Sequence, residues 1–71
     1  MADITEIPTA ELLLDLQESL DDITTCNNAL KVGVLTYGNG ESTRYRYDVN
    51  LRIVEKIRAE LKRREAESNG N

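Results

Sequence analysis

Residues 32 to 47 read "VGVLTYGNGESTRYRY" and hold all three tyrosines and three of the four glycines of a 71-residue chain. Two long charged amphipathic runs flank this stretch, so the fold turns on whether it pairs with itself as strands. "VLTY" (34–37) and "TRYRY" (43–47) are rich in β-branched and aromatic residues, the composition that suits a pleated surface. Between them "GNGE" contains Asn39 and Gly40, the pair that best tolerates the two positive φ angles of a type I′ turn. With that pair central, Tyr37 faces Ser42, Thr36 faces Thr43, Leu35 faces Arg44 and Val34 faces Tyr45. Val34, Thr36, Thr43, Tyr45 and Tyr47 then share the face expected to meet a core. Leu35, Tyr37, Ser42, Arg44 and Arg46 share the face expected to meet water or a partner.

Working outward, "IPTAELLLDLQESLDDITTCNNAL" (7–30) reads as a helix. Leu13, Leu16, Leu20, Ile23 and Leu30 recur at helical spacing, and Leu12 and Cys26 widen that stripe. Thr9 is the expected N-terminal cap, Pro8 discourages extension backwards, and Gly33 suits a left-handed terminator. The helix is expected over 9–31. On the other side Asp48 is the expected cap of a second helix, whose stripe is Ile53, Val54, Ile57 and Leu61 with Leu51 and Val49 at its edges. The predicted fold class is therefore α+β: two antiparallel helices with a two-stranded antiparallel β-hairpin between them, in the order α-β-β-α. It comprises a flexible N-terminus over 1–8, one domain over 9–66 and a disordered polar tail over 67–71.

A chain this short has little apolar material to bury, and this one has no Trp and no Phe, so its core must be thin and aliphatic. One cysteine and no histidine cannot build the usual zinc sets or an internal disulfide, and an intracellular origin is expected. The acidic start and the lack of a long apolar run predict a soluble protein with no cleavable export signal. Charge is split along the chain. Residues 1–30 hold seven acidic side chains and no basic one, whereas residues 31–71 hold all nine Lys and Arg against six acidic side chains. Such a chain can pair head to tail with copies of itself, closing into a ring where the rotation permits.

Chemistry-bearing patterns are weak. "YGNGES" lacks the lysine followed by Ser or Thr, and the helix directly after, that a phosphate loop needs. Cys26 lies beside an apolar stripe, the ordinary place for a buried thiol, and Asp21 and Asp22 are helical neighbours that point apart. The chain reads as no enzyme, with no cofactor or metal. Arg44, Arg46, Arg52, Lys56, Arg58, Lys62, Arg63 and Arg64 cluster with tyrosines and raise the possibility of phosphate contact. The acidic half opposes that field, so non-specific contact with DNA ranks below docking to protein.

The segment "ALKVGVLTYGNGESTRYRYDVNLRIVEKIRAEL" (29–61), set within a helix, hairpin, helix order over residues 9 to 64, resembles the gpW-like head-completion or head-to-tail joining proteins of tailed phages. Ala29, Leu30 and Gly33 stand for the end of the family's first helix. Asp48, Leu51, Val54, Ile57, Glu60 and Leu61 stand for the polar cap and apolar pattern of its second. The resemblance implies a virion neck adaptor, made in the host cytoplasm, that forms a ring between the portal protein and a tail-completion protein. It departs from the family in ending "REAESNGN" (64–71), with nothing apolar after Ala66. Tyr37, Asn39, Arg44 and Arg46 are then the expected docking residues of the hairpin. Arg52, Lys56, Lys62, Arg63 and Arg64 are expected in charged contacts between subunits or with the portal. Two other readings compete: a small acidic inhibitor that mimics DNA and binds a host nuclease or defence protein, motivated by the acidic first helix, and a small DNA-binding regulator using the basic second helix.

Overall fold

The structure, a computed structural model, describes residues 3–69. A 3-10 turn at Ile4–Glu6 leads into helix α1 (Thr9–Lys31), and a connecting elbow leads into helix α2 (Thr43–Asn69). α1 occupies the range expected from its leucine spacing. Its cap differs: the residue before the first turn is Pro8, with no side-chain cap, and Pro8 supplies its carbonyl to the Leu12 amide at 3.0 Å. At the other end Gly33 takes φ +82°. Its amide donates to the Leu30 carbonyl (3.1 Å), and the Val34 amide reaches back to Ala29 (2.8 Å), the paired bonds of a Schellman terminator.

The expected hairpin is not formed, and among the described residues there is no strand. One isolated bridge joins Thr36 to Ser42, one position out of the anticipated register. Gly40 alone of the two anticipated turn residues takes a positive φ (85°), so the turn is not type I′. The Gly40 amide donates to the Tyr37 carbonyl (2.9 Å), placing Gly38 and Asn39 at the turn's centre, and the Asn39 side chain accepts from the Glu41 amide at 3.0 Å. After Ser42 the chain coils instead of extending. The Ser42 hydroxyl accepts from the Tyr45 amide (3.3 Å) and its carbonyl accepts from Arg46 (3.1 Å), so Ser42 is the N-cap and "TRYRY" is helical. Asp48, the anticipated cap, lies exposed inside α2.

Side-chain repetition explains why the helix wins. Thr43, Asn50 and Ile57 are buried at seven-residue intervals, as are Leu12, Ser19 and Cys26 on α1. Tyr47, Val54 and Leu61 form the neighbouring row of α2 and are buried or half-buried. Steps of four and three running unbroken from Thr43 to Leu61 draw one seam. The local β preference of "TRYRY" is overridden because only a helix places Thr43 and Tyr47 in that seam. Of the five residues expected on the hairpin's core face, Thr43 is buried and Tyr47 half-buried, while Val34, Thr36 and Tyr45 are exposed.

α1 and α2 run antiparallel, with Asp22 near Arg46 and Thr9 near Arg64. They form a single two-helix layer in a body of 50 × 24 × 15 Å. α2 extends to Asn69, through part of the tail expected to be disordered; Gly70 and Asn71 lie outside the described residues, as do Met1 and Ala2. No helix among the described residues is long and apolar enough to cross a membrane.

Candidate functional site

Two polar clusters fix the ends of the layer. At the elbow, the Tyr37 hydroxyl lies 3.0 Å from the buried Cys26 sulfur. The Arg46 guanidinium stacks 4.5 Å above the Tyr37 ring, close enough for a cation–π attraction. Arg46 is in turn held by Asp22 (3.9 Å) and Glu41 (3.8 Å). The hydrogen bond with Cys26 is the main cause that raises the Tyr37 phenol above its ordinary pKa, with desolvation adding to it. The elbow is thus locked onto the helix pair through one aromatic ring.

At the opposite end Glu60 is buried and accepts from Arg63 Nε (2.9 Å), Arg63 Nη2 (2.7 Å) and Arg64 Nε (2.6 Å). Hydrogen bonds first from Arg63 and then from Arg64 hold its carboxyl down at about 2. Arg63 also binds Glu67, and its guanidinium is held charged even more firmly than usual by Glu60. The remaining donors of Arg64 reach across the layer to the Thr9 hydroxyl (2.9 Å) and the carbonyls of Ile7 (2.6 Å) and Ile4 (3.1 Å). The segment before α1, expected to be flexible, is strapped to α2 by this one side chain over its described part. Behind the strap lies a groove of about 350 Å³ lined by Ile4, Ile7, Leu12, Ile53 and Ile57, with Asp15, Glu18 and Lys56 at its rim.

The nine residues nominated for partner contact therefore fall into two groups. Tyr37, Arg46, Arg63 and Arg64 are engaged within the chain. Arg44, Arg52, Lys56 and Lys62 are exposed, with Lys56 at the groove, and Asn39 is exposed while its side chain accepts from the Glu41 amide within the turn. Arg44 and Arg52 meet Ser42, Tyr45, Asp48 and Val49 around a shallow surface depression beside the elbow. Sequence reasoning placed Leu35 outward, where it is 69% exposed, but missed the rest of the apolar display around the elbow: Val32 is 77% exposed, Val34 44% and, in the first turn of α2, Tyr45 56%. It also missed the pairing of Glu60 with Arg63 and Arg64, for which the three- and four-residue spacings were the legible signal, and the Arg64 strap to residues 4–9, for which there was no local signal. No group of three or more potential metal-ligating side chains is gathered among the described residues. No protein-family model, curated relative or solved structure matches the chain.

Proposed function

We propose that the protein acts by docking, as a small helical adaptor, and that its setting is the head-to-tail neck of a tailed phage, between portal and tail-completion proteins. One observation carries the docking reading. The elbow is anchored from beneath by Tyr37, Cys26 and Arg46, yet presents Val32, Val34 and Leu35 outward, with Tyr45 of the first turn of α2, beside Arg44 and Arg52. An anchored loop that displays apolar side chains next to cations is suited to a partner surface with apolar pockets and an acidic rim. The phage setting is supported by what remains of the sequence resemblance, the end of the first helix at Ala29, Leu30 and Gly33 and the apolar spacing of Leu51, Val54, Ile57 and Leu61 in the second; Asp48 as a cap does not contribute. The two-stranded hairpin no longer contributes to that support.

The test is capture of the tagged protein from its native source, with bound proteins identified by mass, beside a Leu35→Asp, Tyr45→Ala variant. The reading expects portal and tail-completion proteins with the wild type and at least a tenfold loss with the variant. Recovery of a nuclease or defence protein alone, insensitive to the variant, would replace it with the acidic-inhibitor reading. Tight retention on duplex DNA that weakens steeply with salt would favour the DNA-binding reading instead.

A further inference from the structure

Two surface features of the helix layer mirror each other in charge. The groove behind the strap has an apolar lining of Ile4, Ile7, Leu12, Ile53 and Ile57, and its charged side chains are Asp15, Glu18 and Lys56. The depression beside the elbow is lined by Tyr45 with Arg44, Arg52 and Asp48. Two acids and one cation border the first, two cations and one acid the second. Among the described residues, ion pairs are made by Arg46, Arg63 and Arg64 with their partners, and none by these six charged side chains. Both features are also held in place within the chain. Arg64 binds the carbonyls of Ile4 and Ile7 at the groove, and Tyr37 fixes the elbow to α1 through Cys26.

We infer that the elbow of one copy of the chain docks in the groove of a second. Tyr45 is 56% exposed and Leu35 69%, and docking buries these side chains against Ile53 and Ile57 of the other copy. The reversed charge sets then bring Arg44 and Arg52 to Asp15 and Glu18, with Asp48 left for Lys56. A chain cannot fill its own groove with its own elbow, because Tyr45 and Ile57 lie on the same helix, about 18 Å apart along its axis. Groove and elbow are different surfaces, so the contact is heterologous: it repeats head to tail and closes into a ring where the rotation permits. Features already held in place lose little freedom on docking, which favours even a small contact. The inference rests on the docking reading of the elbow, for which it names a partner, and not on the phage setting.

The experiment is sedimentation equilibrium of the full chain at concentrations up to about 1 mM, for the wild type and two variants. Leu35→Asp with Tyr45→Ala spoils the elbow and leaves the groove. Ile53→Lys, at a side chain 37% exposed, puts a cation in the groove and leaves the elbow. Glu18→Lys, at an exposed position, replaces it if Ile53→Lys loses helicity by circular dichroism. The wild type should exceed twice 8.0 kDa, and each variant alone should associate at least tenfold more weakly. An equimolar mixture of the two variants should form a species of twice 8.0 kDa and stop there, because one intact elbow meets one intact groove. Leu14→Lys, 65% exposed, should assemble like the wild type. A wild type that stays at 8.0 kDa overturns the inference, as does a mixture that associates no better than its components. Assembly that survives both variants overturns it too, by placing the contact elsewhere. A monomeric wild type that still captures portal and tail-completion proteins sinks this inference alone, whereas assembly as described without those proteins in the capture sinks the neck setting alone.

Discussion

Glu60 shows how one residue connects folding to pH. An ordinary glutamate titrates near 4.3, and the two arginines hold this one down to about 2. The folded value lies below the unfolded one, so the stabilisation is fully present above about pH 4.3, declines as pH falls towards 2 and is gone below it. The unfolding midpoint of Glu60→Gln should accordingly fall less between pH 6 and pH 2.5 than that of the wild type, as measured by urea titration at both pH values. Thr43 makes a second prediction. Its hydroxyl is buried without a hydrogen-bond partner, so Thr43→Val, which keeps the shape and removes the desolvated oxygen, should stabilise by roughly 1 kcal/mol in the same assay. Tyr37 gives a third. In an ultraviolet titration one of the three tyrosines should ionise later than the other two, and Cys26→Ala should bring it back, because the bond to Cys26 is the largest cause of its shift. Neither Tyr37 nor Arg64 announces its role in the sequence. Each acts through a partner eleven or more residues away, a separation that local patterns do not encode.

At the scale of elements, α1 and α2 differ in how far the sequence reveals them. α1 is legible because its leucines recur at helical spacing from one end to the other and Gly33 marks its stop. The start of α2 is hidden because "TRYRY" has strand-like composition when taken alone. The seam residues that would extend the helix back, Asn50 and Thr43, are polar and do not register as an apolar stripe. Continuing the four-three spacing backwards from Leu61 through Val54 and Tyr47 would have found it. The cap now carries the decision between helix and strand. Ser42→Ala should cost about 1 kcal/mol and fray the first turn, read as faster amide exchange at Tyr45 and Arg46. Gly33→Ala should cost a similar amount, roughly 1 kcal/mol, from backbone strain alone, since the space around its missing side chain is open.

For the molecule as a whole, the elbow and the adjoining first turn of α2 display half of the large apolar side chains that the small core leaves exposed among the described residues: Val32, Val34, Leu35 and Tyr45. Only Leu12, Cys26, Val54 and Ile57 are buried apolar side chains among the described residues. Leu12→Ala should therefore cost about 2 to 5 kcal/mol, a large share of the margin available to a chain of this size, and circular dichroism melting would show it. The charge split, legible from composition, is realised as an acidic α1 beside a basic α2, but most of the cations first nominated for partners turn out to divide between internal clamps and open surface. Everything here depends on the chain being two helices joined by an elbow, with the second beginning at Thr43. Backbone carbon chemical shifts across the full chain test this most directly. Helical shifts from Thr43 through Asp48, with strand-like values absent there, are the predicted result. Extended shifts over 43–47, with cross-strand contacts between Leu35 and Arg44, would contradict the account and restore the hairpin.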